Sequence, residues 1–252
     1  MIRPLLMLQR LDYQPGAAQG SWQQPFDLVG IHARMPAHWQ FDFQGKSLSF
    51  PWWDGYIAGS GLQEDRVSVE DAEIVFVGYG SKAPEYGWND FKHQDLQGKI
   101  LLMLNNDPDW DPDLFEGNTR LYCGRWVYKY ESAARQGAAG AIIIHATASA
   151  AYPWQVVQTS WSGAQFELPA GIEPRIAIKG WLTENAAEEL VALSGRRLSE
   201  LVESARDREF EPVPLGITSS LAFDNELSRT RKCQRPRSAP WQRPGAAPVA
   251  AR

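Results

Sequence analysis

The sequence predicts an α/β fold in which a mixed sheet or partly closed β-barrel is flanked by helices. Three short apolar runs carry this prediction: residues 73–79, 99–105 and 141–145. They are rich in aliphatic and β-branched side chains, as is typical of strands that are buried on both faces. A helical pattern over residues 125–136 separates the second run from the third. This order predicts a crossover unit, which is right-handed if its two strands are parallel.

The first 55 residues carry weaker signals of secondary structure. Residues 4–12 place three leucines near helical spacing, and the Gln-Pro-Gly that follows ends this predicted helix. Residues 26–50 alternate well enough to predict two or three strands. Residues 51–55 (PWWDG) predict a turn or an aromatic loop.

The central helix has one apolar face. Trp126 and Tyr130 share this face with two alanines of residues 125–136. Gly137 follows at the position where a left-handed helix cap costs little. We therefore expect the helix to end there and the chain to enter the strand over residues 141–145.

The last third of the chain predicts two more strands and two helices. Residues 174–179 and 213–223 have extended patterns. Thr183 is suited to cap a helix over residues 184–193, and a second helix is predicted over residues 197–206.

Residues 229–252 are rich in Pro, Arg and Ala and have no periodicity, so they are predicted to be disordered. They hold seven of the 25 Lys and Arg residues and no acid, which leaves a net charge of −12 on residues 1–228. Because the predicted folded part is acidic, nucleic acid is disfavoured as a partner.

The sequence contains no predicted membrane span or export signal. No segment approaches the roughly 18 apolar residues that a membrane-spanning helix needs. Residues 1–10 carry a charge and a short apolar run, but they lack the length and the small-residue cleavage site of a signal peptide. Composition alone leaves the localisation open.

A zinc peptidase site needs several converging His, Asp and Glu side chains, and no set with such spacing occurs in this sequence. The four histidines are His32, His38, His93 and His145. His93 and Asp95 have an H-x-D spacing, but no H-E-x-x-H pattern occurs, and core or solvated histidines are the simpler interpretation. We therefore predict no catalytic residue and no metal ligand in this chain.

The acidic run over residues 107–113 suggests a calcium loop, because its carboxylates alternate. However, Pro112 stands where such a loop needs Gly, and Asn118 stands where the bidentate Glu belongs. We expect a solvated loop here.

An aromatic segment lies between two predicted strands. Its rings are Tyr152, Trp154 and Trp161, and three glutamines accompany them in the sequence. Rings flanked by amides can line a peptide groove or a sugar platform. They can equally pack against a neighbouring domain, where Trp and Tyr are common, and we favour this interpretation.

Five phrases carry a family resemblance. They are the Gly-Tyr-Gly turn at residues 78–80, APEYGW at 83–88, Gly-Lys at 98–99, YKYE at 128–131 and GAAG at 137–140. In this order they resemble a protease-associated domain. More narrowly, they are similar to the version inserted into zinc-dependent aminopeptidases of the glutamate-carboxypeptidase-like group.

The resemblance covers about residues 20–223 and implies a division of the chain. The implied parts are a clipped N-terminal helix and linker of the peptidase domain (residues 1–25), a strand-rich start of the inserted domain (26–72), the protease-associated domain (73–223) and a basic tail (224–252).

The resemblance also implies a function. In such enzymes the inserted domain is a lid that shapes access to zinc and contacts the substrate, and the enzymes are usually secreted or periplasmic. The metal-binding half that would follow residue 227 is not found, as a truncation or frameshift would explain. We therefore expect a non-catalytic part of a peptidase, with no cofactor of its own. The parent activity would be zinc-dependent aminopeptidase hydrolysis, and the expected partners are the catalytic domain and a peptide substrate.

Two other functions stay open. The domain could be a stand-alone peptide- or protein-binding module. A carbohydrate-binding protein is a weaker alternative that rests only on the eleven tryptophans.

Overall fold

The structure is a computed structural model that describes residues 10–11, 13–108, 110–117 and 119–234. The chain divides into two compact units. The larger unit comprises Gly30–Phe166 and Ala170–Ser228 and holds every site discussed below. The smaller unit comprises Met1–Val29, Glu167–Pro169 and Arg229–Arg252, as far as these are described.

Strands dominate the described residues. They are β1 (Gln24–Arg34), β2 (His38–Phe43), β3 (Lys46–Pro51), β4 (Tyr56–Ser60), β5 (Arg66–Phe76), β6 (Lys82–Ala83), β7 (Trp88–Asn89), β8 (Ile100–Leu104), β9 (Gly140–His145), β10 (Gln165–Glu167), β11 (Ile178–Thr183) and β12 (Val213–Gln234). The α-helices are α1 (Trp126–Arg135), α2 (Thr147–Ala150), α3 (Trp154–Trp161), α4 (Glu184–Leu193) and α5 (Leu198–Ser204).

One mixed sheet contains ten of these strands. Its order is β10-β1-β12-β5-β8-β9-β11-β4, while β2 pairs with both β12 and β3 away from this path. The strands β5, β8, β9 and β11 are parallel neighbours, and the pairings of β12 with β5 and of β11 with β4 are antiparallel. The side pairing of β2 folds the sheet toward a barrel. The predicted α/β class, with a mixed and partly closed sheet flanked by helices, is confirmed.

The central parallel strands are buried on both faces. Ile142 and Ile144 of β9 belong to one hydrophobic cluster, and Ala141 and Ile143 belong to another. This alternation follows from the two-residue period of a strand. Side chains of α4 and α5 cover the first face, whereas side chains of α1 and α3 cover the second.

The predicted core elements are confirmed, although β5 begins at Arg66, ahead of the predicted residue 73, and ends at Phe76. The three apolar runs are the buried strands β5, β8 and β9, and α1 connects β8 to its parallel neighbour β9. Gly137 ends α1 with a φ of 72°. The hydroxyl of Thr183 accepts a hydrogen bond from the amide of Ala186 at 3.2 Å, so it caps α4 as predicted.

Two further predicted strands have different bounds in the structure. The strand expected over residues 174–179 is β11, which begins only at Ile178, where pairing with Ser60 and Gly140 starts. Pro174 has no N–H to donate and precedes the paired region. The strand expected over residues 213–223 is β12 and continues to Gln234. Residues 224–234 therefore form a strand where the sequence predicted a tail.

The remaining N-terminal and C-terminal predictions lie largely outside the described residues. The helix predicted over residues 4–12 falls there apart from residues 10 and 11, and so does the tail after residue 234.

Because β12 continues past residue 223, we expect Asn225 to contribute measurably to the stability of the fold. Its amide nitrogen Nδ2 donates to the carbonyl oxygen of Glu64 at 2.7 Å, and its backbone N–H donates to the carbonyl oxygen of Asp65 at 2.7 Å. We expect Asn225→Ala to lower the free energy of unfolding by about 1–2 kcal/mol, because a buried side-chain hydrogen bond is lost.

The matched control is the adjacent Asp224→Ala. Asp224 makes only an exposed ion pair with Arg66 at 3.4 Å, so a change below about 0.5 kcal/mol is expected. Urea denaturation of both variants measures the difference. Equal effects would contradict the role of Asn225.

Candidate functional site

The carboxyl ends of the parallel strands β5, β8 and β9 lie at one edge of the sheet. The turn with Gly78 and Gly80 follows β5, and both glycines have positive φ. Asn105 and Asn106 follow β8, and α2 begins two residues after β9. Loops at this edge are the usual place for ligands in open α/β sheets.

Lys129 of α1 is fully buried beneath this edge. Its ammonium donates hydrogen bonds to the backbone carbonyl oxygens of Tyr79 and Asn106, and Ser81 Oγ lies 3.5 Å from Nζ. Burial lowers the pKa of Lys129, while the carboxylates of Asp90 and Asp107 oppose this effect. A buried charge is costly without hydrogen-bond acceptors and opposite charges nearby. The buried ammonium therefore requires the loop after β5 and the loop after β8 to be in place.

Asp90 extends the same buried network. One of its carboxyl oxygens accepts from the backbone N–H of Ser81 at 2.8 Å, and the other accepts from Trp88 Nε1 at 2.9 Å. Burial raises the pKa of Asp90, and the two hydrogen bonds and the Lys129 ammonium counter that rise. The carboxyl group thereby fixes the loop that leads from β6 to β7.

Two further side chains of α1 bind the turn after β5. Tyr128 exchanges hydrogen bonds with the backbone of Lys82 through its hydroxyl, at 3.0 and 3.1 Å. Ser132 Oγ donates to the carbonyl oxygen of Gly80 at 3.0 Å. Three side chains within about one turn of α1 therefore hold the backbone of residues 79–82, between and within the phrases at 78–80 and 83–88.

The predicted aromatic residues pack against the hydrophobic cluster on the sheet face that α1 and α3 cover. We define the aromatic surface as Trp53, Trp126, Tyr152, Trp154 and Trp161. All five side chains are partly exposed, with Trp53 at 40% and Trp126 at 43%. The ring centroids of Trp126 and Trp161 lie 5.2 Å apart in an edge-to-face arrangement, which is favourable for aromatic pairs.

Helix α3 positions two of these rings. Trp154 and Trp161 are seven residues apart and thus lie on one side of the helix. Trp154 Nε1 and Gln158 Nε2 each donate to the carbonyl oxygen of Trp53, both at 2.8 Å. Trp53 has a φ of 82°, which is uncommon for a non-glycine residue, and these two bonds stabilise its loop.

His145 lies beneath the aromatic surface. Its ring is 5.4 Å from that of Tyr152 and 5.5 Å from that of Trp154, measured between centroids. Burial lowers the pKa of His145, so the imidazole is neutral near pH 7. The neutral imidazole packs against the rings of Tyr152 and Trp154, as expected for a core histidine.

Two of the three glutamines predicted to flank the rings bond the scaffold beneath them. Gln158 is buried against the loop of Trp53, and Gln165 Nε2 donates to the carbonyl oxygens of Ser160 and Gly163 at 2.9 and 3.1 Å. These amides therefore stabilise the scaffold of the surface.

Sequence reasoning identified Tyr152, Trp154 and Trp161 but missed other members of these sites. Trp126 was assigned to the inner face of α1, whereas its ring is 43% exposed and contacts Trp161. Lys129 carried no signal of burial, since a lysine in a helix is usually solvated. Its place within the YKYE phrase of the resemblance was the only indication.

Within residues 10–11, 13–108, 110–117 and 119–234, no group of three or more His, Cys, Asp or Glu side chains is arranged to hold a metal ion. None of the helices in those residues is long and apolar enough to cross a membrane.

The solved structures that resemble this chain include two aminopeptidases of low sequence identity. An aminopeptidase from Aneurinibacillus sp. strain AM-1 is 15% identical, with a TM-score of 0.38 over 90% of this chain and 39% of that one. The zinc aminopeptidase BSAP from Bacillus subtilis is 14% identical, with a TM-score of 0.25 over 92% of this chain and 39% of that one. This chain thus spans about two fifths of their length. No family model and no curated protein match it.

The buried hydrogen bonds of Lys129 predict that Lys129→Met strongly destabilises the fold. The substitution keeps much of the side-chain volume but leaves the carbonyl oxygens of Tyr79 and Asn106 without their buried donor. We expect the free energy of unfolding to fall by about 3–5 kcal/mol.

Lys46→Met, at the exposed first residue of β3, is the matched control and should change stability by less than about 0.5 kcal/mol. Chemical denaturation followed by circular dichroism compares the two variants. A Lys129→Met protein as stable as the control would refute the proposed role of the ammonium.

Proposed function

We propose that this chain is the non-catalytic, protease-associated portion of a zinc-dependent metallopeptidase of aminopeptidase type. In this proposal the portion from residue 73 to residue 223 is the protease-associated domain, and a metal-binding peptidase domain is its partner. The aromatic surface contacts the peptide substrate where the two domains meet.

The observation that carries the proposal is the joining of the family-like phrases in one buried network. The phrases at residues 78–80, 83–88 and 128–131 are separated by up to about fifty residues. Yet Lys129 bonds the first phrase, and Tyr128 bonds Lys82 directly before the second. The three phrases therefore meet in one hydrogen-bonded network of the described structure.

The exposed rings support a contact role. Trp and Tyr are enriched where proteins bind other proteins, because each offers a large apolar body with a polar tip. On the aromatic surface, edge-to-face packing and two hydrogen bonds to Trp53 hold the rings in fixed positions. Rings that are already ordered lose little entropy when a peptide packs on them.

We propose a non-catalytic role because of the ligands that a zinc peptidase site requires. A two-metal site needs about five or six converging His, Asp and Glu ligands with hydrogen-bonded surroundings. The described residues contain four histidines, and His93, paired in the sequence with Asp95, is an exposed loop residue. These side chains do not form a ligand set.

The test has a catalytic arm and a binding arm. In the first, the purified chain is loaded with zinc and given leucine p-nitroanilide, and hydrolysis no faster than a chelator-treated blank is expected. Chelator-sensitive hydrolysis would contradict the non-catalytic assignment, and His93 and Asp95 would then be the first residues to replace.

In the second arm, hydrogen exchange is followed while the peptide Leu-Leu-Gly amide is titrated into the chain. We expect slower exchange in α3 for the natural chain and no change for Trp161→Ala. Trp110→Ala removes an exposed ring outside the aromatic surface and should behave as the natural chain. Unchanged exchange of α3 in the natural chain would contradict peptide contact at this surface.

A further inference from the structure

A small pocket opens at the carboxyl ends of β8 and β9, on the sheet face opposite to the aromatic surface. Its volume is about 170 Å³. The apolar walls come from Leu104, Ile144, Leu198 and Val202, which belong to or pack against the hydrophobic cluster of that face. The pocket therefore occupies the edge where the loops after parallel strands form ligand sites.

Two side-chain amides line this pocket and each has one unused polar atom. Asn105 is 7% exposed and Asn106 is 5% exposed. Asn105 Nδ2 and Asn106 Oδ1 have no hydrogen-bond partner among the described residues. Buried polar atoms without partners are rare, since each costs about 1–3 kcal/mol. A bound group that satisfies both atoms would recover this cost.

The orientation of the Asn106 amide is fixed by its surroundings. Its Nδ2 donates to the carbonyl oxygen of Ser149 at 2.6 Å, which leaves Oδ1 as the acceptor for the pocket. Its backbone carbonyl is held by Lys129, and its φ of 73° is a left-handed conformation that Asn tolerates better than most residues. The acceptor is therefore held on a rigid loop.

One buried donor and one buried acceptor on successive residues complement a group that carries both an acceptor and a donor. A carboxamide has this property, because its carbonyl oxygen accepts and its N–H donates. Asp107 and Glu184 also line the pocket, while Lys129 and Arg120 bond the backbone of Asn106 and Ser149, so charges of both signs surround it and a neutral group suits it. Its apolar walls favour a short aliphatic substituent on the bound group.

We propose that this pocket binds the amide group of a small aliphatic carboxamide, with Asn105 donating to its carbonyl oxygen and Asn106 accepting from its N–H. The volume suits this class, since an engineered protein cavity of about 150 Å³ holds a benzene molecule. The inference is independent of the proposed function, because it uses another face of the sheet and none of the aromatic surface.

The experiment uses isobutyramide as the probe, with isobutyrate and isobutylamine as charged controls that share its four-carbon skeleton. Binding to the natural chain is followed through the side-chain NH₂ signals of Asn105 and Asn106 in ¹⁵N-correlated NMR spectra. We expect saturable shifts of both signals with isobutyramide, and weaker or no saturation with the anion and the amine. If the amine binds best, the pocket recognises an organic cation and the proposal is wrong. If none of the three shifts these signals, water alone satisfies the amides and the proposal is equally wrong.

A pair of variants tests the donor. Asn105→Leu removes the hydrogen-bonding group, and we expect isobutyramide to bind about fivefold more weakly or not at all. Asn185→Leu makes the same chemical change on an exposed residue of α4 and should leave the affinity unchanged. Equal affinities of the two variants would overturn the assignment of Asn105. If Asn105→Leu fails to fold, the shifts in the natural chain decide the matter by themselves.

Discussion

The buried ammonium of Lys129 is the constraint on which the carboxyl edge of the sheet depends. A charge inside a protein is tolerated only when hydrogen-bond acceptors replace its water. Two of its acceptors are backbone carbonyls, at Tyr79 after β5 and at Asn106 after β8. The helix that crosses over between β8 and β9 therefore determines the loops of two neighbouring strands. The pocket lies beside Asn106, whose carbonyl accepts from Lys129, and rings of the aromatic surface pack on the opposite face of the sheet.

The strands and helices at the centre of the fold could be predicted because their signals are local. β8 and β9 are apolar on both faces, and α1 has an apolar stripe that ends at Gly137. The extension of β12 could not be predicted, because residues 224–234 are polar and basic. Their strand conformation comes from long-range partners, such as the bonds of Asn225 to residues 64 and 65. The late start of β11 likewise depends on its pairing with β4 and β9.

The residues of the candidate sites likewise divide into those that the sequence indicates and those that only the structure reveals. The rings at Tyr152, Trp154 and Trp161 were identifiable, since an aromatic cluster between strands is unusual in any sequence. The burial of Lys129 and the unused amide atoms of Asn105 and Asn106 were not, because they depend on side chains that are distant in the chain. Polar residues carry no periodic signal of burial, and their environment becomes visible only when the loops are placed in space.

The most direct measurement of the central claim is an NMR spectrum that detects the ¹⁵Nζ ammonium groups of lysine at pH 6. An exposed ammonium exchanges its protons with water too fast to give a signal under ordinary conditions, whereas a buried and hydrogen-bonded one exchanges slowly. The account predicts a sharp, slowly exchanging signal that is assigned to Lys129 and is absent from its methionine variant. A spectrum in which every lysine exchanges rapidly would contradict the buried network.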